Sequence, residues 1–182
     1  LPANNIAELV SKTFPSFLTN MEFSIQKLIN DKILADRVKK EVNTWQPSRL
    51  GSCLTGVFLE RAGVKPDVEF DERTLRVFSV GKHFEDWVVS LLKDSGHKIE
   101  TQVRLEWPEQ DVTGYADLLV DDALVYELKS KHSAGFKYRP NVQHEMQLWI
   151  ALKILNKPFG KLVYLSKDDL RIEECPVPLE NE

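Results

Sequence analysis

The chain has 182 residues, a net charge of −4, 42% hydrophobic residues and 29% charged residues. That suffices for one domain with a sizeable core but not for two full domains, at roughly 100–200 residues each. It excludes a transmembrane helix, since no run approaches about 20 apolar residues. It also excludes a disulfide framework or zinc site, since the two cysteines, Cys53 and Cys175, stand far apart.

No secretory leader is expected, because Leu1–Asn5 has no basic region followed by an apolar run, and the expected location is cytoplasmic. From Asn20 to Val42, apolar residues at Phe23, Ile25, Leu28, Ile29, Ile33, Leu34 and Val38 have the spacing of an amphipathic helix. Pro47 ends it, by pushing Gln46 out of the helical region. Ser48 to Ala62 reads as a turn and a short helix stopped by Gly63. Asp71 to Lys93 predicts a long helix capped by Asp71 or Thr74, with Gly81 in its interior where another backbone can come close.

The texture then changes to period two. Lys98 to Trp107 alternates as a strand. Thr113–Val120 and Ala123–Ser130 form a hairpin turning at Asp121-Asp122. Ser133–Tyr138 is a loop, and Pro140–Leu155 a helix with Pro140 in its first turn. Gly160–Ser166 and Leu170–Val177 close the chain as strands. The order predicts an α/β layered domain.

Charge is distributed unevenly. Between Lys129 and Lys167 lie Lys131, Lys137, Arg139, Lys153, Lys157 and Lys161, against the single acid Glu145. Such a segment beside acidic groups suits an enzyme that holds both phosphates and cations. In the hairpin, Asp117 and Glu127 fall opposite or diagonal across two strands, within about 5–8 Å at Cβ. Glu127 and Lys129 share a face. Two carboxylates can hold Mg²⁺ with waters and substrate phosphate, and a nearby lysine can serve an attacking water. By themselves the three residues also fit an ordinary ion pair on an edge hairpin.

Gly114-Tyr115-Ala116-Asp117 followed by Glu127-Leu128-Lys129 resembles the core of the PD-(D/E)XK nuclease superfamily, with Ala116 in place of the usual proline. Pro47–Cys53 and Val80–Trp87 resemble segments of its RecB-like and phage exonuclease-like branch. Asn141–Trp149 is similar to that branch's QxxxY helix, and Tyr164–Asp168 to its closing strand. The resemblance implies a restriction-endonuclease-like α/β core, a mixed β-sheet flanked by helices, over residues 47–177, with a helical N-terminal extension over 1–46, the whole forming one domain.

It implies a Mg²⁺- or Mn²⁺-dependent DNase, acting as an exonuclease in replication, recombination or repair. Glu85, Asp117 and Glu127 would be its metal ligands, the Leu128 carbonyl completing the sphere and His83 a further candidate. Gln143 and Gln147, with Lys131, Lys137 and Arg139, would contact the DNA strand or orient the lysine. Gln147 is the key glutamine if the motif is offset. Some relatives carry an iron–sulfur cluster on four cysteines; with two, none is expected here. A homo-oligomer or a larger replication or recombination assembly is compatible with this reading. So are an RNA endonuclease and a non-catalytic nucleic-acid-binding module of the same fold.

Overall fold

A computed structural model describes residues 24–37 and 43–179. The chain divides into two compact units, Leu1–Val38 with Phe70–Arg76, and Lys39–Glu69 with Val77–Glu182. In the first, helix α1 spans Ile25–Ala35, and the Ser24 hydroxyl caps it by accepting the Lys27 N–H at 3.2 Å. It stops at Asp36, which pairs with Lys32 at 2.8 Å. The helix is therefore shorter than the apolar spacing over Asn20–Val42 predicts, because a local cap ends it before the periodicity does. The outer parts of that predicted span lie outside the described residues.

The second unit begins with two short helices, α2 (Pro47–Leu50) and α3 (Leu54–Arg61). Gly63 follows with φ +73, the left-handed conformation a helix stop asks of glycine. Helix α4 (Glu72–Leu92) starts in the first unit and continues in the second. Asp71, not Thr74, is its cap, accepting the Thr74 N–H at 2.8 Å. Gly81 meets the Ser130 hydroxyl, 3.2 Å from where a Cβ would stand, so a side chain takes the place expected for a backbone. No helix among the described residues is long and apolar enough to cross a membrane.

Five strands follow: β1 (Ile99–Trp107), β2 (Val112–Val120), β3 (Leu124–Lys131), β4 (Phe159–Ser166) and β5 (Ile172–Pro178). They lie in chain order, antiparallel except that β3 and β4 are parallel. A parallel neighbour needs a crossover, and helix α5 (Val142–Leu155) makes it. Pro140 precedes this helix instead of opening its first turn. Asn141 is the cap, its side chain accepting the Gln143 N–H at 2.8 Å. Ser133–Tyr138 forms a 3-10 turn.

The sheet is covered on both faces. Leu105, Ala116, Leu119, Val125, Leu162 and Tyr164 pack with Leu148, Ala151 and Leu152 of α5. Leu118, Leu128, Val163 and Leu165 pack on Phe84, Val88, Val89 and Leu92 of α4. This is the mixed sheet flanked by helices that the sequence predicts.

Candidate active site

Strict alternation fails at one place in the sheet. In β2, Ala116 and Leu119 are three apart yet both face α5, while Leu118 faces α4. In β1, Ile99 packs on the α4 side and Val103 on the α5 side, although period two would put them together. Pairing of β1 with β2 runs through Thr101↔Leu118 and resumes at Val103↔Ala116, skipping Gln102 opposite Asp117. Gln102 has φ +51, alone within a regular strand among the described residues. A left-handed L-residue costs about 1–2 kcal/mol. Its amide Nε2 lies 3.3 Å from Asp117 Oδ1.

The β2–β3 ladder is short as well, covering only Leu118–Val120 against Leu124–Tyr126. Beyond it the Asp117 carboxylate replaces a backbone carbonyl: Oδ2 accepts the Leu128 N–H at 2.8 Å. The strands thus part where Asp117, Glu127 and Lys129 meet. At the other end the hairpin is closed by Asp121 (φ +52) and Asp122 (φ +54), the positive φ values a tight hairpin turn needs.

Glu127 is 1% exposed. Its Oε1 accepts from Lys129 Nζ at 2.5 Å and from Gln147 Nε2 at 2.6 Å. Its Oε2 is buried with no partner. Burial pushes this carboxyl up to about 8; Lys129 pulls it back, and the neighbouring Asp117 raises it again. Burial opposes the charge on Lys129 too, yet Glu127, Asp117 and Glu85 outweigh it and hold its pKa above the ordinary lysine value.

Glu85, half-buried, faces this group from α4. Its pKa is raised by burial first and by Asp117 second, against the pull of Lys82, whose Nζ lies 3.5 Å away. Glu85, Lys82, Gln102, Asp117 and Leu128 line one small cleft of about 70 Å³. A larger apolar groove of about 410 Å³ lies along α4 past Trp87 and Leu91 and contains none of Glu85, Asp117, Glu127 or Lys129.

A divalent cation fits the donor chemistry here. An unpartnered buried carboxylate oxygen costs free energy unless something fills its lone pairs, and Glu127 Oε2 is such an atom beside a second carboxylate. Among the described residues, no three His, Cys, Asp or Glu side chains are gathered as a ready cation cage. The expected set of Glu85, Asp117 and Glu127 is therefore not drawn together as it stands. Asp117 and Glu127 form the inner pair, and Glu85 lies across the cleft. One or two carboxylates with waters meet the needs of Mg²⁺.

Other expected site residues are sorted by the structure. His83 sits in a shallow depression with Val80, Phe84, Trp87 and Leu170, away from the cleft that Glu85 lines. Gln143 is exposed and packs over Gly51, where a Cβ would come within 2.7 Å of its Cα. Gln147 is buried and bound to Glu127, which suits orienting the carboxylate–lysine pair more than touching a strand of DNA.

Arg139 is committed internally: it pairs with Glu173, donates to the Phe136 carbonyl and lies over the Phe136 ring. Lys131 and Lys137 stand over Tyr164 and Tyr138, with no carboxylate partner among the described residues. Sequence reasoning passed over Gln102 and the pair His144–Tyr164, whose Nδ1 and hydroxyl are 2.9 Å apart. Burial first, then Lys129 and Lys131, lower the His144 pKa to about 4, so it is neutral near pH 7. The one sequence signal for Gln102 is Glu100-Thr101-Gln102, three polar residues in succession within an alternating strand.

No protein-family profile matches the chain, and no curated protein matches it. Solved structures do. The crystal structure of SSO0001 is 25% identical with a TM-score of 0.63, over 89% of this chain and 81% of that one. An alkaline exonuclease from Laribacter hongkongensis, LHK-Exo, is 12% identical with a TM-score of 0.57, over 82% of each chain. The same exonuclease in complex with dAMP gives 14% and 0.57, over 77% of this chain and 80% of that one. The five-stranded mixed sheet and its flanking helices are thus a fold shared with an alkaline exonuclease.

Proposed function

We propose that this protein is a Mg²⁺- or Mn²⁺-dependent nuclease of the PD-(D/E)XK type, RecB-like or phage exonuclease-like. It would hydrolyse DNA phosphodiester bonds as an exonuclease in replication, recombination or repair. The observation that carries this reading is the buried Glu127, with one oxygen on Lys129 and Gln147 and the other free beside Asp117. The fold shared with an exonuclease supports it, and that enzyme's complex with dAMP supports a nucleotide substrate.

Asp117 and Glu127 would hold the cation, with the Leu128 carbonyl as a further ligand and Glu85 closing on it from α4. A bound cation supplies charge neutralisation at the scissile phosphate and a more acidic water. Lys129, held charged by its neighbours, positions that water and balances the negative charge of the site. Gln147 fixes the Glu127 carboxylate, and Lys131 and Lys137 meet the backbone phosphates. With His83 outside the cleft, nothing in the geometry favours the RNA endonuclease reading.

The test is digestion of end-labelled linear and closed circular DNA with Mg²⁺, Mn²⁺ or EDTA. Metal-dependent loss of linear DNA alone is expected, and Asp117→Ala and Lys129→Ala each lower the rate at least about 10²-fold. DNA bound but never cut would make the protein a non-catalytic module. Cutting unaffected by either substitution would remove the site.

A further inference from the structure

We infer that Gln102 is a positioning residue that sets the Asp117 carboxylate toward α4. The inference rests on the metal-site reading above. Gln102 stands in the middle of β1 with a left-handed backbone and no glycine to make that easy. Local strain of this kind persists only where the surroundings enforce it, and it concentrates at functional sites. Here it coincides with three other observations. The β1–β2 pairing skips Gln102 and Asp117 alone between Thr101 and Val103. The inside–outside alternation of both strands reverses at the same level. The Gln102 amide donates to Asp117 Oδ1 at 3.3 Å, while Oδ2 is taken by Leu128 N–H.

The consequence is geometric. Continued regularly back from Leu118 and Leu119, β2 would put Asp117 under α5; the reversal makes it alternate with Ala116 instead, which already faces α5. With the kink it lines the same cleft as Glu85, Lys82 and Gln102, on the α4 side. The kink and the amide are two parts of one device: the first turns the carboxylate, the second fixes its rotation. Neither touches the reacting phosphate, so Gln102 acts through Asp117.

The two parts separate by mutation. Gln102→Gly keeps the left-handed backbone and loses the amide. Gln102→Val loses both, because a β-branched residue resists that conformation. The measurement is Mn²⁺ titration of each purified protein, with free Mn²⁺ read by electron paramagnetic resonance and folding checked by circular dichroism. Gln102→Val is expected to bind Mn²⁺ about tenfold or more weakly than the parent, and Gln102→Gly within about threefold. Should Gln102→Val not fold, Gln102→Ala takes its place and is expected below Gln102→Gly.

Equal affinity in the glycine variant and its valine or alanine counterpart overturns the inference. So does parental affinity in Gln102→Val. Asp117→Ala separates this failure from that of the metal site. If Asp117→Ala loses Mn²⁺ while Gln102→Val keeps it, the site stands and Gln102 alone is wrongly assigned. If parent and Asp117→Ala bind alike, or neither binds, the metal site and the inference fall together.

Discussion

Glu127 is buried, coupled to a lysine and left with one oxygen unpartnered. A carboxyl raised to about 8 from 4.5 stabilises the folded state only while protonated. Its contribution is complete below about pH 4.5 and is lost as pH rises through about 8. His144, lowered to about 4 from 6.5, works the other way: its contribution is complete above 6.5 and is lost as pH falls through 4. In EDTA, the unfolding free energy should therefore fall as pH rises from about 6.5 to 8, by on the order of a few kcal/mol, and the thermal midpoint with it. Glu127→Gln should flatten that slope; an unchanged slope would show that another group carries it.

Gln147→Ala should destabilise the metal-free protein by about 1–3 kcal/mol in urea unfolding, since it strips a partner from a buried carboxylate. It should also lower nuclease rate about 10–100-fold. That Asp117, Glu127 and Lys129 lie close together was legible in the sequence from their spacing in a hairpin, but not the break in the ladder at which they meet. Gln147 was legible as a candidate, with DNA contact and orienting the lysine both open, because burial of a helix face depends on what the helix packs against. For Gln102 the polar run Glu100–Gln102 marks a break in the alternation, but nothing in residue order announces a left-handed backbone there.

The elements themselves were mostly readable. Hydrophobic periods located α4 and β1, proline signals α5, and aspartates marked the hairpin. What failed were positions where a local side chain outweighed the pattern: Ser24 starts α1 late, and Asn141 leaves Pro140 outside α5. Glycines offer a test at this scale. A Cβ on Gly160 would stand 2.7 Å from the Val125 carbonyl oxygen and 3.1 Å from Leu148, between β4, β3 and α5. Gly160→Ala should lose about 1–3 kcal/mol in denaturant unfolding. Gly56, in α3 with nothing near its Cβ position, should gain about 0.5–1 kcal/mol as alanine. The reverse order would mean that the helices and sheet are packed differently.

For the whole molecule, the sequence overstates how many cations face a ligand. Of the basic stretch after Glu127, Lys129 is tied to Glu127, Arg139 to Glu173 and Lys161 to Glu174, while Lys157 donates to the Asp122 carbonyl. Lys131 and Lys137 have no such carboxylate among the described residues. DNA affinity should thus fall with salt less steeply than the basic stretch suggests. Lys131→Ala and Lys137→Ala should each reduce the log–log slope by about 1. Arg139→Ala should change thermal stability and leave the slope alone. A slope that moves only with Arg139 would put the DNA elsewhere.

The Leu128 amide, bonded to the Asp117 carboxylate where β2 and β3 part, makes one proton a spectroscopic gauge of the site. A hydrogen bond to an ionised acceptor is short and strong, so this amide should resonate far downfield of its strand neighbours. A cation drawing electron density from Asp117 would weaken that bond and move the signal upfield. One nitrogen–proton cross-peak would then report occupancy of the centre with no substrate present.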